Sequence, residues 1–425
     1  MDALTLGPIK SLSGEVRLPG SKSISNRALL LAALARGRTR ILNLLDSEDT
    51  ELMRRALDAL SIAVTQDGDA WVVAGGSGPL VTDGRRAELN LGLAGTAMRP
   101  LVAVLTLGNG EFVLDGTPRM RERPIGPLVD ALRALGADLD YAATAGYPPV
   151  RIRAGGLAGG EAEIDGSLSS QFLTSVLLAA PLAQRPVTLR VRGGLVSKPY
   201  IDITLDLMSR FGAAVHHVGH QRFEVANEGY RSPGECLVEG DASSATYFLA
   251  AGAIAGRGVC VEGVGAASIQ GDAAFADVLE AMGARVERSA TSVAVKPAPL
   301  SGIDADLNHI PDAAMTVAVL ALFAKGVTRI GNIANWRVKE TDRLAAMAQE
   351  LRKLGAKVEE GPDYLAIEPP AALRPATIET YGDHRMAMCL SLAALGGVPV
   401  TIKDPGCVAK TFPDYFEKFT ALIDG

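Results

Sequence analysis

Transitions from polar to apolar residues recur along the chain at nearly even spacing. Clusters of Gly, Ser, Asp or Pro lead directly into apolar stretches at six points, which are Gly20, Gly95, Gly166, Gly240, Pro311 and Gly382. Consecutive points lie 71 to 75 residues apart. Small or capping residues followed by apolar residues at helical spacing are typical of a helix N-terminus. The pattern therefore predicts one supersecondary repeat that is used six times.

A second marker recurs in the same register and supports the repeat. Segments similar to Leu-x-x-Leu-Gly-Ala, which are typical of a helix end, begin at Leu57, Leu132, Leu207, Leu279 and Leu351. The first segment lacks the Gly, and the third has one extra residue before it. Gly is a common residue just after a helix, and short β-prone stretches follow it here. We therefore predict strands and two helices in each repeat, with the second helix usually closed by Gly.

Composition and length indicate a well-buried globular protein with more than one domain. The chain has 425 residues, 48% of them hydrophobic, and a mean hydropathy of +0.19. A chain of this length exceeds one ordinary core, so two domains are expected. No apolar run reaches the ~20 residues of a membrane span, and the first residues do not form a signal peptide. We expect a cytoplasmic protein that does not bind membranes.

Charge and cysteine usage exclude several further classes of protein. The net charge of −6 and the 5% aromatic content argue against nucleic acid as a partner. The four cysteines lie far apart without a Cys-x-x-Cys pair, which favours neither disulfides nor zinc. A small anionic ligand remains compatible, because local basic clusters can oppose the global charge.

Polar clusters at two of the predicted helix starts, the first and the third, carry candidate chemistry. In the first, Ser23 and Arg27 are four residues apart and share a helical face. Lys22 lies in the first turn, which is unfavourable for the helix dipole, so we expect an anionic partner for it. The third start offers Ser169, Ser170 and Gln171, more hydroxyls than simple N-capping needs. A capped surface helix remains the alternative in both cases.

The densest polar stretch covers residues 335 to 343. Asn335, Lys339 and Arg343 step by four residues, so a helix here would align them. Glu340 near two cations is a candidate acid or base. An ion-paired surface turn is the simpler alternative, and the same holds for the arginines around Arg123.

The last predicted helix start, 382–385, contains His384, which we interpret as a capping residue or as one that supports the residues contacting the ligand, rather than as a metal ligand.

Together these segments resemble the enolpyruvyl transferase family, and specifically the 5-enolpyruvylshikimate-3-phosphate synthases. The resemblance extends from Leu18–Ser23 to Lys410–Asp414 and is most specific in Leu93–Pro100 and Arg337–Arg343. It implies a two-domain α/β fold with six βαβαββ repeats, three in each domain. It further implies that residues 1–20 and 240–425 form one domain and residues 21–239 the other, with the active site in the cleft between them.

The resemblance also implies a set of site residues. Those matching shikimate 3-phosphate contacts are Lys22, Ser23, Arg27, Ser169, Ser170, Gln171, Ser197, Asp312, Asn335 and Lys339. Those matching phosphoenolpyruvate contacts are Lys22, Gly95, Arg123, Gln171, Arg343, Arg385 and Lys410. Asp312 and Glu340 match the acid/base pair, with Lys22 as a further catalytic group. No metal or organic cofactor is implied, and we expect a monomer.

One position departs from the family pattern. Leu93 stands where the family usually has Asn before Ala-Gly-Thr, so a carboxamide is lost at the rim of the implied phosphoenolpyruvate pocket. Gly95, Thr96 and Pro100 match the pattern that goes with sensitivity to glyphosate, and Leu93 leaves its degree open.

The resemblance implies transfer of the enolpyruvyl group of phosphoenolpyruvate to the 5-hydroxyl of shikimate 3-phosphate, with release of phosphate. Two other functions compete with this reaction. The sister enzyme that transfers enolpyruvyl to UDP-N-acetylglucosamine shares the fold but typically uses a loop cysteine, and the loop from Pro118 to Pro124 has none. A non-catalytic protein that binds phosphorylated metabolites is the second alternative. Asp312 and Glu340 discriminate against it, because binding alone gains nothing from carboxylates that face anions.

Overall fold

The chain folds into two compact units. In the computed structural model, which describes residues 2–80 and 86–424, one unit comprises Met1–Pro19 with Glu239–Gly425 and the other Gly20–Val238. We refer to them as the split unit and the continuous unit. The division falls one residue before each boundary expected from the sequence.

Twelve α-helices form within the described residues, two for each of the six predicted repeats. In the continuous unit they are α1 Lys22–Leu34, α2 Glu48–Ala59, α3 Gly95–Leu105, α4 Gly126–Ala134, α5 Ser170–Ala179 and α6 Pro199–Arg210. In the split unit they are α7 Ala242–Ile254, α8 Phe275–Met282, α9 Ala314–Leu320, α10 Arg343–Lys353, α11 His384–Ser391 and α12 Tyr415–Ala421. The same residues also form 3-10 helices at Met120–Glu122, Ala180–Leu182, Gly271–Ala274, Ala321–Phe323, Ala334–Val338, Leu392–Gly396 and Pro405–Lys410.

The strands are short. The first fourteen are β1 Ala3–Leu6, β2 Ser13–Arg17, β3 Arg38–Leu42, β4 Val64–Asp67, β5 Ala70–Ala74, β6 Arg86–Asn90, β7 Asn109–Asp115, β8 Asp138–Tyr141, β9 Val150–Gly155, β10 Gly160–Asp165, β11 Val187–Arg192, β12 Val215–Val218, β13 Arg222–Val225 and β14 Glu235–Leu237. The others are β15 Gly258–Glu262, β16 Arg285–Arg288, β17 Ser292–Lys296, β18 Leu300–Ser301, β19 Asp304–Asp306, β20 Ala324–Lys325, β21 Thr328–Gly331, β22 Lys357–Glu360, β23 Leu365–Glu368, β24 Ala376–Ile378 and β25 Val400–Lys403.

One sheet topology recurs six times, as the repeat predicts. Each of these sheets begins with a parallel strand pair and continues with antiparallel pairing. The continuous unit contains the orders β14-β3-β5-β4, β6-β7-β9-β8 and β10-β11-β13-β12. The split unit contains β2-β15-β17-β16, β19-β21-β23-β22 and the three-stranded β24-β25-β1. The prediction of six repeats, three in each half, is therefore confirmed.

The first helix of each repeat lies in the interior. In α7, every residue from Ala242 to Ala253 is buried, and in α1 every residue except Ser23 is buried. The second helices are amphipathic, with a buried apolar face and an exposed charged face. Since the first helices are apolar along their length, their polar residues are concentrated at the N-terminal turn, where the candidate site residues lie.

The second helices end as the sequence predicts. Gly136, Gly212, Gly283 and Gly355 all have positive φ values, between 82° and 106°, which suit glycine at a helix end. In the first repeat, which lacks the glycine, Ser61 takes the corresponding position with a φ of 62°.

None of the helices within residues 2–80 and 86–424 is long and apolar enough to cross a membrane.

Gly256 provides a test of how tightly the split unit closes around its N-terminal segment. It has a φ of 82°, and a Cβ placed on it would lie 1.8 Å from the main-chain oxygen of Leu12. We predict that Gly256→Ala lowers the free energy of unfolding by about 3 kcal/mol or more, because both the backbone conformation and the contact are disfavoured. Denaturant titration measures this loss.

Gly397→Ala is the matched control, since Gly397 has a φ of 76° but no atom within 4 Å of the position that a Cβ would take. The control should lose only about 1 kcal/mol. Equal losses in the two variants would contradict the proposed close contact at Leu12.

Candidate functional site

Arg343 is the centre of a buried charge cluster in the split unit. It is the first residue of α10 and only 1% of its surface is exposed. Its guanidinium donates to Asp312 Oδ1 at 2.8 Å, to Glu340 Oε2 at 3.0 Å and to Asp383 Oδ2 at 2.8 Å. One arginine thus holds three carboxylates that come from separate parts of the sequence.

These contacts determine the protonation of Arg343. Burial disfavours the charged guanidinium, but the carboxylates of Asp383, Glu340 and Asp312 outweigh burial and raise the pKa of Arg343. The side chain therefore stays positively charged at neutral pH.

Asp312 connects Arg343 to two further cations. It lies just before α9, and its Oδ2 is 2.9 Å from Arg385 Nη2. Its Oδ1 is 3.6 Å from Lys339 Nζ as well as bound to Arg343. Three cations around one carboxylate favour its ionised form, which is the form that can accept a proton.

Asp383 organises this cluster from the start of α11. It is fully buried, it caps the helix by accepting a hydrogen bond from the main-chain N–H of Arg385 at 3.0 Å, and it binds Arg343 with both oxygens. His384 lies beside it, with Nδ1 3.4 Å from Asp383 Oδ1. In this unit Asp383 positions both arginines of the cluster.

The prediction that a helix aligns Asn335, Lys339 and Arg343 is wrong. Asn335 lies in the 3-10 helix Ala334–Val338, Lys339 is extended, and Arg343 begins α10 after Asp342 caps that helix. Lys339 and Arg343 nevertheless both reach Asp312. Asn335 is buried, four residues before Lys339 in the sequence. Lys410 is also buried, at the end of the 3-10 helix Pro405–Lys410, which packs against α11.

In the continuous unit, α1 presents the first group of candidate residues. Lys22 is its first residue and is buried, with Nζ 3.8 Å from Asp49 Oδ2. This carboxylate is the anionic partner that the position of Lys22 predicts. Ser23 and Arg27 share a helical face as expected, and Arg27 Nη1 donates to the main-chain oxygen of Ser23 at 2.8 Å.

Arg27 is buried among neutral oxygens. Its guanidinium donates to Thr204 Oγ1 at 2.9 Å, to Tyr200 O at 3.3 Å and to Thr174 Oγ1 at 3.4 Å. Burial lowers its pKa to about 10, so Arg27 is charged at neutral pH. Within residues 2–80 and 86–424, no carboxylate forms an ion pair with it, so its charge is available to a bound anion.

Gly95 lies against two arginines. It is the first residue of α3, and a Cβ on it would be 2.8 Å from Arg99 Nη1 and 3.0 Å from both terminal nitrogens of Arg123. Arg123 is 4% exposed, and its hydrogen bond is to the main-chain oxygen of Leu93 at 3.4 Å. The missing side chain of Gly95 leaves room at a site that is rich in positive charge.

The arginine-rich loop divides into two kinds of residue. Arg119 pairs with Glu122 and Arg121 with Asp115, both at the surface, as the ion-paired turn predicts. Arg123 alone of the three is buried, and among the described residues its Nε has no hydrogen-bond partner.

At the start of α5, which is the third predicted helix start, some polar atoms take no part in capping the helix. Ser169 caps α5 by accepting from the main-chain N–H of Gln171 at 3.2 Å, and Ser170 is buried beside it. The Oε1 atom of Gln171 is buried and has no partner among the described residues. Ser197 is buried in a left-handed conformation with a φ of 53° just before α6.

Sequence reasoning missed several residues that complete these clusters. Asp383, Asp49 and Arg99 were not assigned, and Asp383 had one available signal, since it stands directly before His384 at a predicted helix start. The described residues contain no group of three His, Cys, Asp or Glu side chains that could hold a metal ion.

The cluster around Arg343 predicts a stability effect. Asp383→Asn keeps the size of the side chain but removes a charge that neutralises Arg343 in the interior. We expect the free energy of unfolding to fall by about 3 kcal/mol, as when one partner of a buried ion pair is removed. Denaturant titration tests this expectation.

Asp342→Asn is the matched control, because Asp342 caps α10 and pairs with Arg337 at the surface. A loss of at most about 1 kcal/mol is expected there. If the two variants were equally stable, Asp383 would not be the residue that neutralises Arg343.

Known proteins resemble this chain in sequence and in fold. A 3-phosphoshikimate 1-carboxyvinyltransferase of Shewanella amazonensis is 61% identical over 99% of both chains, and one of Aliivibrio salmonicida is 59% identical over 99% of this chain and all of the relative. An EPSP synthase structure from Acinetobacter baumannii superposes with a TM-score of 0.82 at 26% identity, covering 99% of this chain and 98% of that one. The profile of the family EPSP synthase (3-phosphoshikimate 1-carboxyvinyltransferase) matches residues 6–419, so the chain belongs to that family.

Proposed function

We propose that this protein transfers the enolpyruvyl group of phosphoenolpyruvate to the 5-hydroxyl of shikimate 3-phosphate and releases phosphate, as a step of aromatic amino acid biosynthesis. The reaction is the one that the family name and the relatives' names describe. The two alternatives, transfer to UDP-N-acetylglucosamine and binding without catalysis, are not favoured.

The observation that carries the proposal is the pair of buried arginines in the continuous unit. Arg27 and Arg123 are 5% and 4% exposed, and their hydrogen bonds go to neutral oxygens. A buried cation is costly unless an anion neutralises it. Two such cations match substrates that carry phosphate and carboxylate groups, which guanidinium groups bind with paired hydrogen bonds.

The binding roles that the family resemblance implies are part of the proposal. We assign Arg27, Ser23, Ser169, Ser170, Gln171, Ser197, Asn335 and Lys339 to shikimate 3-phosphate, and Gly95, Arg123, Arg343, Arg385 and Lys410 to phosphoenolpyruvate, with Lys22 and Gln171 shared. The starts of buried helices support these roles, because their free N–H groups and dipoles also favour anions.

The carboxylates of the split unit suit the proton transfers. Glu340 protonates the methylene carbon of phosphoenolpyruvate, with Lys22 as a second group for this step, and C2 becomes cationic. Asp312 accepts the proton of the 5-hydroxyl while the oxygen of that hydroxyl attacks C2. This attack gives a tetrahedral adduct. Loss of a proton from the new methyl group and departure of phosphate then restore the enol ether. The surrounding arginines stabilise the charges that develop.

Three finer statements belong to the same proposal. The enzyme is cytoplasmic and monomeric, and sedimentation of the purified protein would test the monomeric state. Sensitivity to glyphosate also stays a prediction, with Leu93 in place of the usual Asn.

A phosphate-release assay with both substrates tests the proposed function. We expect release only when phosphoenolpyruvate and shikimate 3-phosphate are present together, because the adduct needs both. UDP-N-acetylglucosamine replaces shikimate 3-phosphate in the control reaction. Release with the UDP-sugar and none with shikimate 3-phosphate would overturn the assignment.

Asp312→Ala tests the role of the proposed base. Turnover should fall about 10²- to 10⁴-fold, the usual contribution of a general acid or base, while substrate binding weakens much less. Steady-state kinetics and equilibrium binding measured on the same variant separate the two effects. Asp304→Ala, at an exposed carboxylate of the same unit, should leave both unchanged. Equal losses of turnover and binding in Asp312→Ala would instead indicate a binding role.

A further inference from the structure

A buried carboxyl group that the proposed mechanism does not use lies in the split unit. Asp272 belongs to the 3-10 helix Gly271–Ala274, which packs against the start of α7, and it is 5% exposed. The hydroxyl of Ser243, in the first turn of α7, donates a hydrogen bond to Asp272 Oδ2. Asp272 is therefore fixed to one face of α7.

The same face of α7 leads to the candidate active-site carboxylate. Tyr247 follows Ser243 by four residues, so the two side chains lie one helical turn apart on that face. The hydroxyl of Tyr247 is 3.1 Å from Arg385 Nη1, and Arg385 Nη2 is 2.9 Å from Asp312 Oδ2. Ser243 and Tyr247 thus relate Asp272, along one face of α7, to the Arg385–Asp312 pair.

Charged groups face Asp272 from three packed elements. They are Asp241 at the cap of α7, Asp312 before α9 and Arg385 in α11. Burial is the main cause that raises the pKa of Asp272, to about 7, and the negative charge of Asp312 raises it further. The Ser243 hydrogen bond and Arg385 oppose the increase. Asp272 therefore changes charge near neutral pH.

We propose that Asp272 is a positioning residue for Asp312, acting through its charge on the ability of Asp312 to accept the substrate proton. The inference rests on the proposed function, in which Asp312 is the base. Electrostatic interaction between two carboxylates is mutual, so a negative Asp272 makes proton uptake by Asp312 more favourable. Ionisation of Asp272 should therefore increase the rate of the step that uses this base.

A purely structural role is already filled by neighbouring groups. The side chain of Gln270 accepts from the N–H of Ala242 at 3.1 Å and donates to the oxygen of Gly240 at 2.7 Å. Asp241 caps α7 by accepting from the N–H of Ser244 at 3.1 Å. Because these contacts fix the helix start, the charge of Asp272 can be changed without removing the cap.

The test compares kcat/KM of the wild type and Asp272→Asn between pH 6 and 8.5. The ratio of the two values cancels the ionisation of the substrates, which is common to both enzymes. Asn imitates the protonated carboxyl, so the ratio should be near 1 at pH 6 and rise about threefold through pH 7. This size follows from about one pKa unit of coupling and a proton that is half transferred in the transition state. Asp277→Asn, at an exposed carboxylate of α8, should give a ratio near 1 at every pH.

Ser243→Ala supplies a second variant with a distinct signature. This variant lacks the hydrogen bond that favours ionised Asp272. The rise of kcat/KM with pH should therefore move to higher pH by about one unit. If kcat/KM rose at the same pH in this variant as in the wild type, the assignment to Asp272 would be overturned. If Asp272→Asn did not fold, this shift alone would decide the outcome.

A stability measurement tests the ionisation without relying on activity. The folded-state pKa of Asp272 lies above that of an unfolded aspartate, so protonation stabilises the fold at low pH, and this contribution is lost as pH rises to about 7. The Asn variant cannot ionise. Its denaturation midpoint should therefore increase relative to the wild type from about pH 4 to pH 7 and then remain constant relative to it.

The two readouts separate the possible failures. A constant kcat/KM ratio in an active enzyme would overturn the inference and leave the proposed function intact. Absence of phosphate release in the wild type would overturn the proposed function, while the denaturation series would still report whether Asp272 ionises near pH 7. A pH-independent stability difference would show that it does not and would also overturn the inference.

Discussion

The neutralisation of Arg343 in the interior is the constraint on which the candidate site of the split unit depends. A guanidinium with 1% exposure cannot rely on water, so its counter-charges must lie within hydrogen-bond distance. Asp383, Glu340 and Asp312 meet that requirement from separate segments. The same contacts hold the proposed acid and base at fixed places. The electrostatic requirement of the fold and the proposed roles of Glu340 and Asp312 therefore depend on one set of bonds.

The six repeats explain how one scaffold can carry the several binding roles that we propose. The first helix of each repeat is buried along nearly its whole length, so its polar residues are concentrated at the N-terminal turn. The residues at these turns differ from one repeat to the next. Lys22 and Gly95 start helices in the continuous unit, while Asp383 and Arg385 occupy the corresponding turn in the split unit. The fourth turn is a capped helix start at Asp241.

The repeat and its helix ends could be predicted from sequence because they depend on local patterns. Apolar periodicity and glycine at positive φ are properties of neighbouring residues, and both are found where expected. The charge clusters could not be predicted in the same way. Asp383 meets Arg343 and Asp49 meets Lys22 only after the chain has folded, since 40 and 27 residues separate these partners. The expected alignment of residues 335 to 343 was wrong because a 3-10 helix and an extended residue replace the regular helix there.

The strand pairing of the split unit affects the order in which the protein can assemble during synthesis. β1 and β2 are translated first, but their partners are β25 and β15, which are separated from them by the whole of the continuous unit. Domains generally fold as they emerge from the ribosome. The continuous unit has all its strand partners within itself and can therefore complete its sheets early. β2 keeps an unpaired edge until β15 has been made, and β1 does so until β25 near the end of the chain, so this short segment is exposed to mispairing for much of synthesis.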